Sequence, residues 1–312
     1  MRDKINSKQK ECNTLSAPLD PRVNDNPSTY IVQDRKNRKE LARLNIQDRM
    51  VTAGMGGVLP EQPDPTVFRR VLDVGCATGG WIIEAAQTYP TISLVGIDIS
   101  ERMIKYARTQ AQTHQACNRV EFHVMDVLRT LEFLASSFDL VNLRLGLSFL
   151  RTWDWPKLRS ELLRVTRPDG IVRVTDSDVM PPSNSPALTR LFEMFQCALY
   201  RAGHFFTDES TGLTSHLARL LNQYECEQVQ TKSYAMEYRA GTAEGEAYYE
   251  DSMLLFQTTR PFIQKWNCGS SDYETIYQQA LKQMRQPDFH VTWNLLTAWG
   301  RKPGPKSQQF QR

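Results

Sequence analysis

The chain has 312 residues, which at roughly 150 residues per domain means one large or two modest domains with room for a sizeable core. Its 38 Lys and Arg against 35 Asp and Glu leave a net charge of +3, too small to demand a nucleic acid or an anionic membrane as partner. With 40% hydrophobic and 23% charged residues, the composition excludes a wholly disordered chain, a collagen and a coiled coil.

Residues 1–28 mix charges with Pro and Asn without a period and read as a flexible arm. They contain no apolar signal core, and no apolar run in the chain is long enough to span a bilayer, so the expectation is a cytoplasmic protein with no membrane partner. Residues 29–66 form an N-terminal helical segment, with an amphipathic helix from about Asn37 and a Gly- and Pro-rich loop at 53–66. Five short apolar runs follow, at 70–75, 93–98, 120–125, 138–143 and 170–176. Helical patterns separate them at Trp81–Thr88, Glu101–Thr113 and Trp155–Thr166, with a further one near Leu128–Ala135. Strands alternating with helices predict parallel pairing by right-handed crossovers, a doubly wound α/β core over 67–178. Residues 179–225 read as a helical lid. Residues 226–302 supply two last strands around a helical insertion at 243–286 that breaks near Pro261, completing a seven-stranded, mostly parallel sheet. The tail 303–312 reads as flexible. The cysteines Cys12, Cys76, Cys117, Cys197, Cys226 and Cys268 form no CxxC pair and read as reduced thiols, with neither a zinc site nor a disulfide framework.

The chemistry concentrates at the strand ends. Asp73-Val74-Gly75-Cys76-Ala77-Thr78-Gly79-Gly80 ends the first strand and runs into the helix at Trp81. Small residues there let backbone approach a ligand, and the helix start offers unpaired N–H groups. Asp98 ends the second strand, where a carboxylate suits a ribose diol. Asp126 ends the third, where it and Val127 suit an adenine edge, with Ile99 and Met103 as apolar neighbours. A dinucleotide site would carry GxGxxG and a diphosphate, but here Ala77 stands where the middle Gly is needed and Asp73 would repel the diphosphate. S-adenosylmethionine, with its ribose, adenine and ammonium, fits the three acids.

These residues resemble the class I S-adenosylmethionine-dependent methyltransferases. VLDVGCATGG (71–80) looks like their first motif, GIDIS (96–100) like the ribose motif and VMDV (124–127) like the adenine motif. FDLVNLRLGLSFL (138–150) and ELLRVTRPDGIVRVTD (161–176) resemble the fourth and fifth strands. The resemblance implies that Gly75, Cys76, Ala77, Thr78 and Gly79 line the methionine moiety, with Asn142 and Arg144 on the sulfur side. A further likeness, of Tyr30–Gln47 to the lead helix of small-molecule methyltransferases related to fungal secondary-metabolism regulators, implies that Tyr30 and Gln47 cover the cofactor. The product is then S-adenosylhomocysteine, with no metal.

Several residues have two readings. Asp73 either contacts the cofactor or braces its loop, and Arg144 either closes on an anion or is an exposed loop residue. His204 and Asp176 are the candidate catalytic groups, His204 as a base near the lid and Asp176, with Asp178, at the sheet's carboxyl edge. Each is also readable as structural, and methyl transfer from a sulfonium needs alignment more than a base. The aromatics Trp153, Trp155, Phe205, Phe206, Tyr248 and Tyr249 either wall an apolar acceptor or pack lid on sheet. Methyl transfer to a small molecule of specialised metabolism, by a monomer or homodimer, is the leading expectation. The alternatives are a protein or peptide acceptor, or a regulator that binds the cofactor without methyl transfer. Near-neutral charge and Asn142-Leu143-Arg144-Leu145 in place of Asn-Pro-Pro-Tyr speak against nucleic acid.

Overall fold

The computed structural model describes residues 29–32, 34, 37–223 and 226–304. The expected arm at 1–28 lies outside the described residues, as does the expected tail from 305 on. The strands are β1 (Arg70–Val74), β2 (Ser93–Asp98), β3 (Val120–Val124), β4 (Phe138–Arg144), β5 (Thr166–Ser177), β6 (Glu227–Arg239) and β7 (His290–Arg301). They form one seven-stranded sheet of order β3-β2-β1-β4-β5-β7-β6. β1 to β5 pair in parallel, and β7 runs antiparallel to both β5 and β6. The expected doubly wound sheet is what forms. β1 lies between β2 and β4, so the strand order reverses there and leaves a crevice beyond the carboxyl ends of β1 and β4.

Alternation along the buried strands sorts side chains onto two faces. Leu72, Val74, Val141, Leu143, Val172 and Val174 join one core, and Val71, Leu140 and Ile171 join the other. Helices α2 (Gly80–Thr88) and α3 (Glu101–Thr113) pack along β2 and β3, and α4 (Trp155–Val165) packs on β4 and β5. Ser100 starts α3 by accepting the Met103 N–H at 3.4 Å. Beyond the sheet's carboxyl edge stand α1 (Arg38–Met55), α5 (Pro186–Arg201) and α7 (Ala243–Lys265), while α6 (Leu217–Asn222) packs on β6 and β7 and α8 (Tyr273–Met284) on α5 and α7. Among the described residues, no helix is long and apolar enough to cross a membrane.

Four local expectations are corrected. α1 runs on through Met55 into the segment read as loop, ending at Gly56, whose φ of 85° lets its N–H and that of Gly57 bond back to Ala53 and Thr52. Residues 128–135 form turns rather than a helix, because α4 satisfies their backbone: Glu161 accepts the Leu131 N–H at 2.7 Å, and Arg164 donates to the carbonyls of Leu131 and Phe133 at 2.8 Å. Pro261 does not break α7. Thr258 and Thr259 bond back to the carbonyls of Leu254 and Leu255 at 3.0 and 2.7 Å, and packing against α1 and α5 outweighs the roughly 3 kcal/mol that a mid-helix proline costs. Finally, Cys197 and Cys268 form a disulfide across 71 residues of sequence, joining α5 to the α7–α8 connection. Beside it Arg201 donates to the carbonyls of Trp266 and Asn267, each at 3.0 Å. Folding thus brings together two cysteines whose spacing carries no motif, while Cys76, Cys117 and Cys226 are not disulfide-bonded.

On denatured protein, thiol titration is expected to find two more thiols after reduction than before. Cys197→Ser should lower unfolding free energy by about 2–4 kcal/mol under non-reducing conditions, as for loss of a native disulfide closing a long loop.

Candidate functional site

The loop after β1 makes the floor of a cavity. Gly75 and Gly79 have φ of 68° and 77°, and Ala77 takes the same left-handed region at 46°, unusual for a residue with a Cβ. A Cβ on Gly75 would run into the Phe149 ring, and one on Gly79 into Phe122 and Ala107, so both must be glycine. Asp98 holds the bend: its Oδ2 accepts the Ala77 N–H at 3.1 Å and its Oδ1 the Ser100 N–H at 2.8 Å. The Cys76 thiol is buried and pushed well above its ordinary pKa, first by desolvation and then by the charges of Asp98 and Asp73.

Above this floor lies a cavity of about 560 Å³. Of the residues expected around the cofactor, Tyr30, Asp73, Gly75, Cys76, Ala77 and Thr78 line it. So do Asp98, Ile99, Met103, Asp126, Val127 and Arg144. Gly79 and Asn142 do not; they lie one layer beneath, packing the loop and holding Asp73. Asp126 accepts the Leu128 N–H at 2.9 Å and pairs with Arg129 at 3.5 Å. Ile99 is 42% exposed, an apolar surface left open into the cavity, while Val127 is buried. Gln47 and Asp48 of α1 complete the wall.

Asp73 is the most perturbed acid of that wall. Burial raises its pKa to about 7 against the pull of Arg144 and a hydrogen bond from Asn142 Nδ2 at 2.7 Å. Behind it runs a ladder that the parallel register sets, because Asp73 pairs with Asn142 and Asn142 with Arg173 on adjacent strands. Arg173 Nη1 donates to Asn142 Oδ1 at 2.7 Å, and its Nε donates to Glu61 Oε1 at 2.6 Å. Arginine can only donate, so it turns the Asn142 oxygen toward itself and the amide N–H₂ toward Asp73. Arg173 and Glu61 are wholly buried. Both escaped sequence reasoning, yet a charged residue inside the buried run Val172-Arg173-Val174 was the signal, since such a charge must be paired.

A second network joins α1 to α7. Arg43 gives Nε and Nη2 to Glu40 at 2.9 and 2.8 Å and Nη1 to Asp251 at 3.3 Å. Tyr30 donates its hydroxyl to Glu40, as does Thr258 at 3.2 Å. Burial raises the Asp251 carboxyl to about 6 although Arg43 lowers it. Arg144 is neither an exposed loop residue nor free to close on an anion: it pairs with Asp48, donates to Thr52 Oγ1 at 3.1 Å and lies over the Trp81 ring.

The two candidate catalytic groups lie off the cavity wall. His204 is buried against Phe262, and burial next to Arg151 lowers its pKa to about 4. It is not placed to be the base. Asp176 is fully buried and braces the loop after β4, accepting N–H groups of Leu147 and Ser177 at 3.0 Å each. Burial lifts it to about 7. Of the six aromatics, Tyr248 reaches a second cavity of about 60 Å³. Trp155, Phe205 and Tyr249 are buried, Phe206 packs partly buried against the core, and Trp153 is 61% exposed with its ring over Gly203.

A sheet of this order with an antiparallel β7, opening at its reversal onto a cavity ringed by strand-end acids, has the class I methyltransferase fold. Residues 71–170 match the family model described as a methyltransferase domain, and this stretch of the chain is a class I S-adenosylmethionine-dependent methyltransferase domain. It is 34% identical over 137 residues to the demethylmenaquinone methyltransferase of Deinococcus radiodurans, a stretch covering 43% of this chain and 53% of that protein. It is 26% identical over 264 residues to the 27-O-demethylrifamycin SV methyltransferase of Amycolatopsis mediterranei, covering 85% and 82%. A third relative, the secondary metabolism regulator laeA of Monascus pilosus, is 28% identical over 162 residues, covering 51% and 41%. The chain thus spans about half the length of the first and third of these.

Removing one partner of the buried ladder should be costly. Arg173→Met is expected to destabilise the fold by about 3–5 kcal/mol in urea unfolding, because Glu61 is left buried and unpaired, and the double variant Arg173→Met/Glu61→Leu should recover most of the loss.

Proposed function

We propose that the 560 Å³ cavity binds S-adenosylmethionine and that the protein transfers its methyl group to a small molecule of specialised metabolism. The observation that carries this reading is the convergence of Asp73, Asp98 and Asp126, from three successive strand ends, on one cavity at the reversal of strand order. The volume lies within the roughly 300–1,000 Å³ of small-molecule sites. The relative aligned along 85% of this chain is named for methylating 27-O-demethylrifamycin SV, which supports a small acceptor.

The donor set fits the cofactor. Asp98 takes the ribose hydroxyls. Asp126 and the Val127 N–H read the adenine edge, while Ile99 and Met103 bracket the ring. Asp73, half-neutralised by burial, gains its full charge when an ammonium arrives, with Asn142 holding its carboxylate in place. Tyr30, Gln47 and Asp48 from the α1 side exclude water. The bound sulfonium supplies a methyl group that is already activated, so the chain's task is alignment and desolvation.

In calorimetric titration with S-adenosylhomocysteine, Asp98→Ala should weaken binding by about 2–4 kcal/mol, the loss of a charged hydrogen-bonding partner. Unchanged affinity in a folded variant would remove Asp98 from the site. The wild-type affinity should also fall as pH drops through about 7, by roughly tenfold for each unit below, because protonated Asp73 no longer attracts the ammonium. Asp73→Asn should flatten that dependence.

A further inference from the structure

The second cavity adjoins the first, sharing Arg43, Gln47, Leu145 and Ser148 with it. At about 60 Å³ it has room for about two waters of roughly 30 Å³, the size of a functional group rather than a ring. Its apolar walls are Phe192 and Phe195 of α5, Tyr248 of α7 and Trp293 of β7. The Tyr248 hydroxyl is buried beside Ser252.

The charges at this cavity are unequal. Asp178 at the end of β5 and Asp251 on α7 line it, and Arg43 is the cation on its wall. Arg43 spends Nε and Nη2 on Glu40 and Nη1 on Asp251. Thr214 Oγ1 donates to Asp178 Oδ1 at 2.6 Å. Two carboxylates and one guanidinium therefore line the cavity, and the guanidinium's donors are already turned to Asp251 and to Glu40 behind it. A carboxylate or phosphate group entering here would meet like charge in a desolvated site, whereas an ammonium would meet Asp178 and the faces of aromatic rings.

We infer that this cavity is the acceptor pocket and that the group it takes is an amine. The inference rests on the cofactor reading above, which puts the methyl donor in the larger cavity. The protonated amine gives one proton to Asp178 and from there to water. Its freed lone pair then forms the new N–C bond as the S–C pair returns to sulfur, leaving a neutral sulfide and a methylated ammonium.

The test compares three small probes of one shape, ethylamine, ethanol and acetate, by calorimetry on protein saturated with S-adenosylhomocysteine. The amine is expected to bind at least tenfold more tightly than the alcohol, with no measurable binding of the acid. Asp178→Asn should remove at least tenfold of the amine's affinity while S-adenosylhomocysteine still binds, which also reports that the variant is folded. Asp178→Ser serves if the first variant does not fold. Equal binding of the alcohol or acid, no binding of the amine, or indifference to both variants would overturn the inference. Should S-adenosylhomocysteine itself fail to bind, the cofactor reading falls, and the same three probes on the unloaded protein still read the pocket's charge preference.

Discussion

Everything at the crevice depends on keeping a carboxylate, Asp73, at the end of a strand that is buried on both faces. Desolvation alone would neutralise it. The counterweight is a ladder that uses the parallel register itself, one polar side chain per strand, ending in the wholly buried pair of Arg173 and Glu61. A pair so deep is a poor source of stability, since desolvating both charges costs about what their attraction returns. Its value is directional: a group that can only donate orients an amide, and the amide orients an acid. The segment carrying Glu61 thereby becomes part of the sheet's polar interior although it lies outside every strand.

The roof is built by a different rule. α1 meets α7 through Tyr30, Glu40, Arg43 and Asp251, so residues 221 apart in sequence share one buried charge network. That network stands where the two cavities adjoin. The wall between the two cavities is thus made of paired charges, whose geometry is more directional than the packing of the apolar side chains around them.

The core was legible because its signals are local. Short apolar runs alternating with amphipathic segments predict β1 to β5 and the helices between them, and the acids at their ends stand out because each follows a run of apolar residues. Thirteen of the residues expected at the cofactor, Gln47 among them, line the cavity. What escaped depends on tertiary partners. Residues 128–135 carry a helical spacing, but Glu161 and Arg164 take over their backbone. Pro261 should end a helix, yet the packing around α7 carries it through. His204 sits in a sequence that looks like a lid, and only the fold turns it inward against Phe262. Arg173 was visible as an anomaly, but its partner, 112 residues earlier, was not.

The Cys197–Cys268 link closes the chain into a covalent ring that contains α6, β6 and α7. β6 is the outermost strand of the sheet, bonded along its length to β7. A helix of the roof is therefore on the same closed circuit as the edge of the floor. Swinging α7 away from α1 cannot proceed as a free hinge; it must take up slack in the ring or peel the border strand, which biases any breathing of the crevice toward α1 as the moving part.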